Sequence, residues 1–99
     1  MIRSSTPQHS FLLPFDYGNN VAKLLVSFKQ DDKLILEKTG NDVQFSGKKF
    51  WYTLTQEETK KFSQGVYKLQ VKVLSTDGNV LVSKIYYMRC EDVLDDREM

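Results

Sequence analysis

Gly65-Val-Tyr-Lys-Leu-Gln-Val-Lys-Val-Leu-Ser-Thr-Asp-Gly-Asn-Val-Leu-Val-Ser-Lys-Ile-Tyr-Tyr87 decides the fold class. Apolar and polar residues alternate up to Asp77-Gly78 and then resume, the pattern of a β-hairpin with one buried face. A two-residue Asp77-Gly78 loop would set Lys84 opposite Val71 and Val82 opposite Val73, mixing charge into the apolar face. A three-residue loop, Thr76-Asp77-Gly78 with Gly78 in the left-handed conformation, instead pairs Val73 with Leu81, Val71 with Ser83, Leu69 with Ile85 and Tyr67 with Tyr87. Lys68, Gln70, Lys72 and Lys84 then share the solvent side. Directly opposite residues share a face, and a slip of one residue turns every side chain over. The three-residue loop is therefore expected.

Working outward, Phe11-Leu12-Leu13-Pro14-Phe15 reads as a short edge strand, because Pro14 lacks a ladder donor. Asp16 to Asn20 is a turn-rich loop. Ala22, Leu24, Val26 and Phe28 alternate with Lys23, Leu25, Ser27 and Lys29, and Asp31-Asp32 turns the chain into a partner strand at Lys33 to Lys38. A short strand at Val43 to Phe45 precedes Lys49 to Leu54, where Phe50, Tyr52 and Leu54 share one face and Trp51 and Thr53 the other. Thr55-Gln56-Glu57-Glu58 is a capping box opening one or two helical turns that run to an inward Phe62 and end at Gly65. A strand, a helical corner and Gly-x-Tyr resemble the E–F corner of immunoglobulin-like sandwiches, with Tyr67 as the tyrosine that bonds back to the corner backbone. The expectation is all-β: an immunoglobulin-like antiparallel β-sandwich of six or seven strands with one short helical corner.

Ninety-nine residues make one domain, 1–99, with a polar leader arm at 1–9 and an acidic C-terminal tail at 91–99. An apolar fraction of 40% supports a packed interior. Net charge is +1, yet residues 1–90 carry thirteen bases and eight acids (+5), and residues 91–99 one base and five acids (−4). The lysines alternate with acids and form no long run, which argues against nucleic acid as a partner. The tail reads as a solvated end or as a segment that docks on a basic partner. No apolar run of a signal peptide opens the chain, and no segment approaches membrane-spanning length. A lone Cys90 excludes an intrachain disulfide and fits a cytoplasm or a particle released from one.

Chemistry is sparse. One histidine, His9, and one cysteine, Cys90, lie at opposite ends and give no metal-ligand spacing. His9 reads as a loop residue bonded to backbone and Cys90 as a partly buried thiol at a strand end; a Cys–His nucleophile would lack a third group. Asp31-Asp32 is turn chemistry, and Glu57-Glu58 suits a helix start. The Gly47-Lys48 pair has the wrong spacing for a phosphate loop. No catalytic, cofactor-binding or metal residue is expected. Trp51 and Tyr86 fall on outward positions with Leu74, Val80 and Val82, so either they form an exposed apolar patch or Trp51 belongs to the inter-sheet core and the facing is one position off.

Arg3-Ser4-Ser5-Thr6-Pro7-Gln8-His9-Ser10-Phe11-Leu12-Leu13-Pro14-Phe15-Asp16 resembles the opening of small proteins encoded by bacteriophages and prophages of Gram-positive bacteria. Leu36-Glu37-Lys38, Leu54 to Thr59, Val73 to Gly78 and Asp92-Val93-Leu94-Asp95-Asp96 resemble further phrases of that group, and the likeness departs in Gly40–Lys49 and at Tyr86-Tyr87-Met88. The resemblance implies a non-enzymatic structural or accessory protein of a virion, tail or baseplate, present in the particle or the host cytoplasm. Its partners would be other phage structural proteins or further copies of itself, with no cofactor, membrane or small-molecule substrate. The candidate interaction surface is Arg3, His9, Trp51, Tyr86, Asp95 and Asp96. A carbohydrate- or host-surface-binding module is the alternative, with Trp51, Tyr52, Tyr86 and Tyr87 stacking on sugar rings.

Overall fold

The computed structural model describes residues 1–95 and 97. Its strands are β1 (Gln8–Leu12), β2 (Val21–Gln30), β3 (Lys33–Thr39), β4 (Gln44–Ser46), β5 (Lys49–Thr53), β6 (Gly65–Ser75), β7 (Val80–Val82) and β8 (Tyr86–Cys90). Two single-turn α-helices, α1 (Tyr17–Asn20) and α2 (Gln56–Thr59), and a 3-10 turn at Gly40–Asp42 mark corners among the described residues. A three-stranded antiparallel sheet runs β1-β5-β4. A larger one runs β3-β2-β6, with β7 and β8 both on the far edge of β6. These orders match strands B-E-D and C′-C-F-G of an immunoglobulin-like sandwich.

The inner faces close over Leu24, Val26 and Phe28 of β2, Phe50 and Tyr52 of β5, and Tyr67, Leu69, Val71 and Val73 of β6. Leu54 and Phe62 fill the corner end of this core. Period-two alternation aims each of these side chains inward. Ala22, expected among them, is exposed, because a bulge between Val21 and Lys23 turns the strand before it reaches the core. The Gln30–Lys33 hairpin closes through Asp31 and Asp32, at φ 53° and 62°, as the right-handed twist of paired strands demands.

The helical corner forms as its sequence dictates. The Thr55 hydroxyl accepts from the Glu58 amide at 3.1 Å while the Glu58 carboxylate accepts from the Thr55 amide at 2.9 Å. Glu58 also takes the Lys38 ammonium at 2.6 Å, tying the corner to edge strand β3. Burial raises the Glu58 carboxyl, but its bonds to Lys38 and Thr55 outweigh that and hold it below the usual carboxylate range. The tyrosine corner does not form. The Tyr67 hydroxyl is buried with no hydrogen-bond partner among the described residues. Its expected acceptors have another donor: Arg3 gives Nε to the Phe62 carbonyl at 2.8 Å and Nη2 to the Lys60 carbonyl at 3.0 Å.

Arg3 also corrects the expectation of a leader arm. Its Nη1 meets Asp92 at 3.3 Å, and its amide donates to the Glu91 carbonyl at 2.8 Å. The Met1 ammonium donates to the Arg89 carbonyl at 2.8 Å, and Ile2 bridges Glu91 in parallel. Residues 8 to 12 form β1, so the edge strand starts three residues before Phe11. The leader is thus part of the sandwich wall.

The hairpin read first is half as expected. Leu74 pairs with Val80 and Val73 with Leu81 around the three-residue loop, with Gly78 at φ 92°. Beyond Ser83 the register moves by one: Leu69 faces Tyr86 and Tyr67 faces Met88, in place of Ile85 and Tyr87. The arm is therefore split into β7 and β8, which makes eight strands among the described residues where six or seven were expected. Ser83 carries the join, since its hydroxyl accepts from the Val71 amide at 2.9 Å and donates to the Lys84 carbonyl at 2.8 Å.

Candidate functional site

The register change sets what the larger sheet shows to water. Outward residues come in cross-strand rows: Lys23, Leu74 and Val80; Leu25, Lys72 and Val82; Lys29, Lys68 and Tyr87; Val66 and Arg89. Residues paired across antiparallel strands share a face, so each row is one line across the same surface. Val82 is 54% exposed and Tyr87 68%, and Val66, Val80 and Ile85 are exposed beside them. The face is hollowed into a groove of about 690 Å³ running from the Asp31-Asp32 turn to Lys72 and Val82. A second hollow of about 680 Å³ continues past Lys23, Leu74 and Val80 to Gly40. Tyr87 is stiffened by Lys68, whose ammonium lies 5.8 Å from the ring centre. Gln70 donates to the Ser83 carbonyl at 2.9 Å, which rigidifies the floor.

Charge on this surface is net positive. Lys23, Lys29, Lys68, Lys72 and Arg89 stand in the rows, against Glu37 opposite Ser27 and the two aspartates of the turn. Apolar side chains ringed by cations make a surface for an acidic, partly apolar partner. No proton-transfer pair or nucleophile among the described residues converges on it. Among the described residues, no group of three or more His, Cys, Asp or Glu could hold a metal ion. None of their helices is long and apolar enough to cross a membrane.

The expected candidates are scattered. Arg3 pins the leader to the corner, as above. His9 sits in β1 opposite Tyr52 and not in a loop, and its Nδ1 meets the Tyr52 hydroxyl at 2.9 Å. Burial, and after it the Met1 ammonium, lowers the His9 pKa, while burial raises that of Tyr52. Tyr52 therefore keeps its proton beside a neutral His9, and the imidazole tautomer sets which of the two donates. Trp51 faces outward as the alternation required, on the smaller sheet, where Nε1 donates to Gln44 Oε1 at 2.8 Å. It lies on the opposite side of the sandwich from Leu74, Val80 and Val82, so the expected single patch does not form. Tyr86 points inward and packs edge-on to Phe11 at 5.9 Å, because the shift at Ser83 turned it over. Trp51, Tyr52, Tyr86 and Tyr87 thus share no common platform. Asp95 is exposed and pairs with Arg97. Asp96 lies outside the described residues. Cys90 ends β8 as a fully buried thiol, its pKa raised chiefly by burial.

Sequence reasoning missed Val66 and Ile85 as surface residues, and its hairpin register set Tyr87 opposite the buried Tyr67, naming it as a surface ring only in the carbohydrate-binding alternative. A serine within the hairpin arm was the available signal, since its side chain can replace a ladder acceptor and let the register slip.

The sequence matches no family model and no curated protein. Among solved structures the chain is similar to CopC from Methylosinus trichosporium OB3b, at 17% identity and a TM-score of 0.52. The alignment covers 88% of this chain and 98% of that one. At that identity the likeness bears on the fold, a β-sandwich in both.

Proposed function

We propose that this chain is a non-enzymatic interaction module, a structural or accessory component of a bacteriophage particle, working by protein–protein contact through the outer face of its larger sheet. The observation that carries the reading is the gathering of Val66, Val80, Val82, Ile85 and Tyr87 on one open, lysine-ringed surface. A folded monomer gains nothing by leaving such side chains in water, whereas a partner that covers them gains their burial. The sequence phrases shared with phage and prophage proteins, from Arg3-Ser4-Ser5-Thr6-Pro7 to the acidic end, supply the biological setting. The partner this face suits carries carboxylates around apolar side chains, and its location would be the virion or the host cytoplasm.

Mass spectrometry of particles purified after induction of the encoding phage tests the reading. The expected result is the chain at stoichiometric level in wild-type particles, and its loss from particles made with Val82→Asp while the soluble protein stays folded. Abundant soluble protein with none in particles would overturn it.

A further inference from the structure

We infer that the acidic segment following β8 of one copy of this chain docks on the turn-proximal half of the outer face of another copy, with Leu94 as its apolar anchor. The inference rests on reading that face as an interaction surface. The half in question holds Leu25, Leu74, Val80 and Val82 between the ammonium groups of Lys23 and Lys72. Two such faces repel each other, so a symmetric face-to-face pair is disfavoured and the complement must be acidic. The chain contains one strongly acidic stretch, Glu91 to Glu98, and with Asp92 held by Arg3 it offers Glu91, Asp95, Asp96 and Glu98 against Arg97. Leu94 inside it stands wholly clear of the body, at 109% exposure. An aliphatic side chain flanked by carboxylates is the chemical inverse of an aliphatic hollow flanked by lysines.

Geometry favours a second copy over the chain's own face. Cys90 pairs with Gly65, and Lys72 lies seven residues further along β6, about 23 Å away at a strand's rise. Leu94, four residues past Cys90, reaches at most about 14 Å. Glu91 and Asp92 are in addition held by Ile2 and Arg3 at the far end of the sandwich. The Asp95–Arg97 pair is fully exposed and contributes little that a lysine of the neighbour could not replace. Tail-to-face contact is heterologous, so repetition closes a ring or extends a row.

Sedimentation velocity of the full-length chain across protein and salt concentration tests this. The expected result is mass that rises with concentration and falls as salt is added. Leu94→Asp should return the chain to monomer, and Lys72→Glu should weaken association by roughly tenfold. Both positions are exposed, so unchanged melting midpoints show that the variants fold. A chain carrying Asp95→Lys and Asp96→Lys, mixed with one carrying Lys23→Glu and Lys72→Glu, should associate although each alone is monomeric. A monomer under all conditions, association that Leu94→Asp leaves intact, or a charge-swapped mixture that stays monomeric would each overturn the inference. Failure here with the chain still present in particles leaves the proposed function standing; self-association without particle incorporation does the reverse.

Discussion

Tyr67, Leu69, Val71 and Val73 on one side of β6 are sealed from water, whereas Val66, Lys68, Gln70, Lys72 and Leu74 on the other are exposed or half-exposed. Both sets lie on the same strand, separated only by the two-residue period of its side chains. The inner set explains why the chain folds. The outer set contains apolar residues that folding does not require, and these invite a functional account.

The two sides should part most widely on Leu69→Ala, which should cost about 3 kcal/mol in denaturant unfolding through the cavity it leaves, while Val82→Ala on the outer side should stay within about 0.5 kcal/mol. Glu58→Ala removes both a cap and the partner of a largely buried Lys38, and should cost about 2 kcal/mol. Because the Glu58 carboxyl is held below its ordinary range, that contribution is present above the unfolded pKa of about 4.5 and fades as pH falls through the folded value. Ser83→Ala leaves the Val71 amide short of an acceptor and should cost about 1 kcal/mol, with faster hydrogen exchange confined to the β7–β8 join. For His9, burial and the Met1 ammonium favour the neutral ring in the fold. The unfolded chain takes up its proton first, at about pH 6.5, so the melting midpoint should drop as pH falls below that and level off beneath the folded pKa. His9→Phe should flatten this step. The smallest stability change belongs to Val82→Asp, within about 0.5 kcal/mol, although the same change should abolish partner contact.

Much of the fold was legible, because alternation in Leu24 to Phe28, Phe50 to Leu54 and Tyr67 to Val73 is a direct record of which side faces the interior. Thr55 and Glu58 were equally readable, since a capping box is local chemistry. What stayed hidden is relational. The three-residue loop at Thr76–Gly78 holds, yet beyond Ser83 the pairing is the one that a two-residue loop would have produced, putting Tyr86 inside and Tyr87 outside. Alternation identifies a strand but not an interruption within it when both neighbours, here Ile85-Tyr86 and Tyr86-Tyr87, are apolar. Nor did sequence show that Arg3 would reach the corner carbonyls ahead of Tyr67, a competition between groups some sixty positions apart. The candidate surface was legible only in part: Leu74, Val80 and Val82 through their period, Tyr87 only as a ring of the carbohydrate-binding alternative, Val66 not at all.

The two left-handed aspartates closing the Gln30–Lys33 hairpin sit at one lip of the cationic groove, with Lys23 and Lys72 toward the other. Both carboxylates are offset there by Lys29 and Lys68, whereas the rows of Lys23 and Lys72 hold no acid. An anion-rich strand therefore meets unopposed cations at the second lip, and the two ends of the face are not equivalent to it.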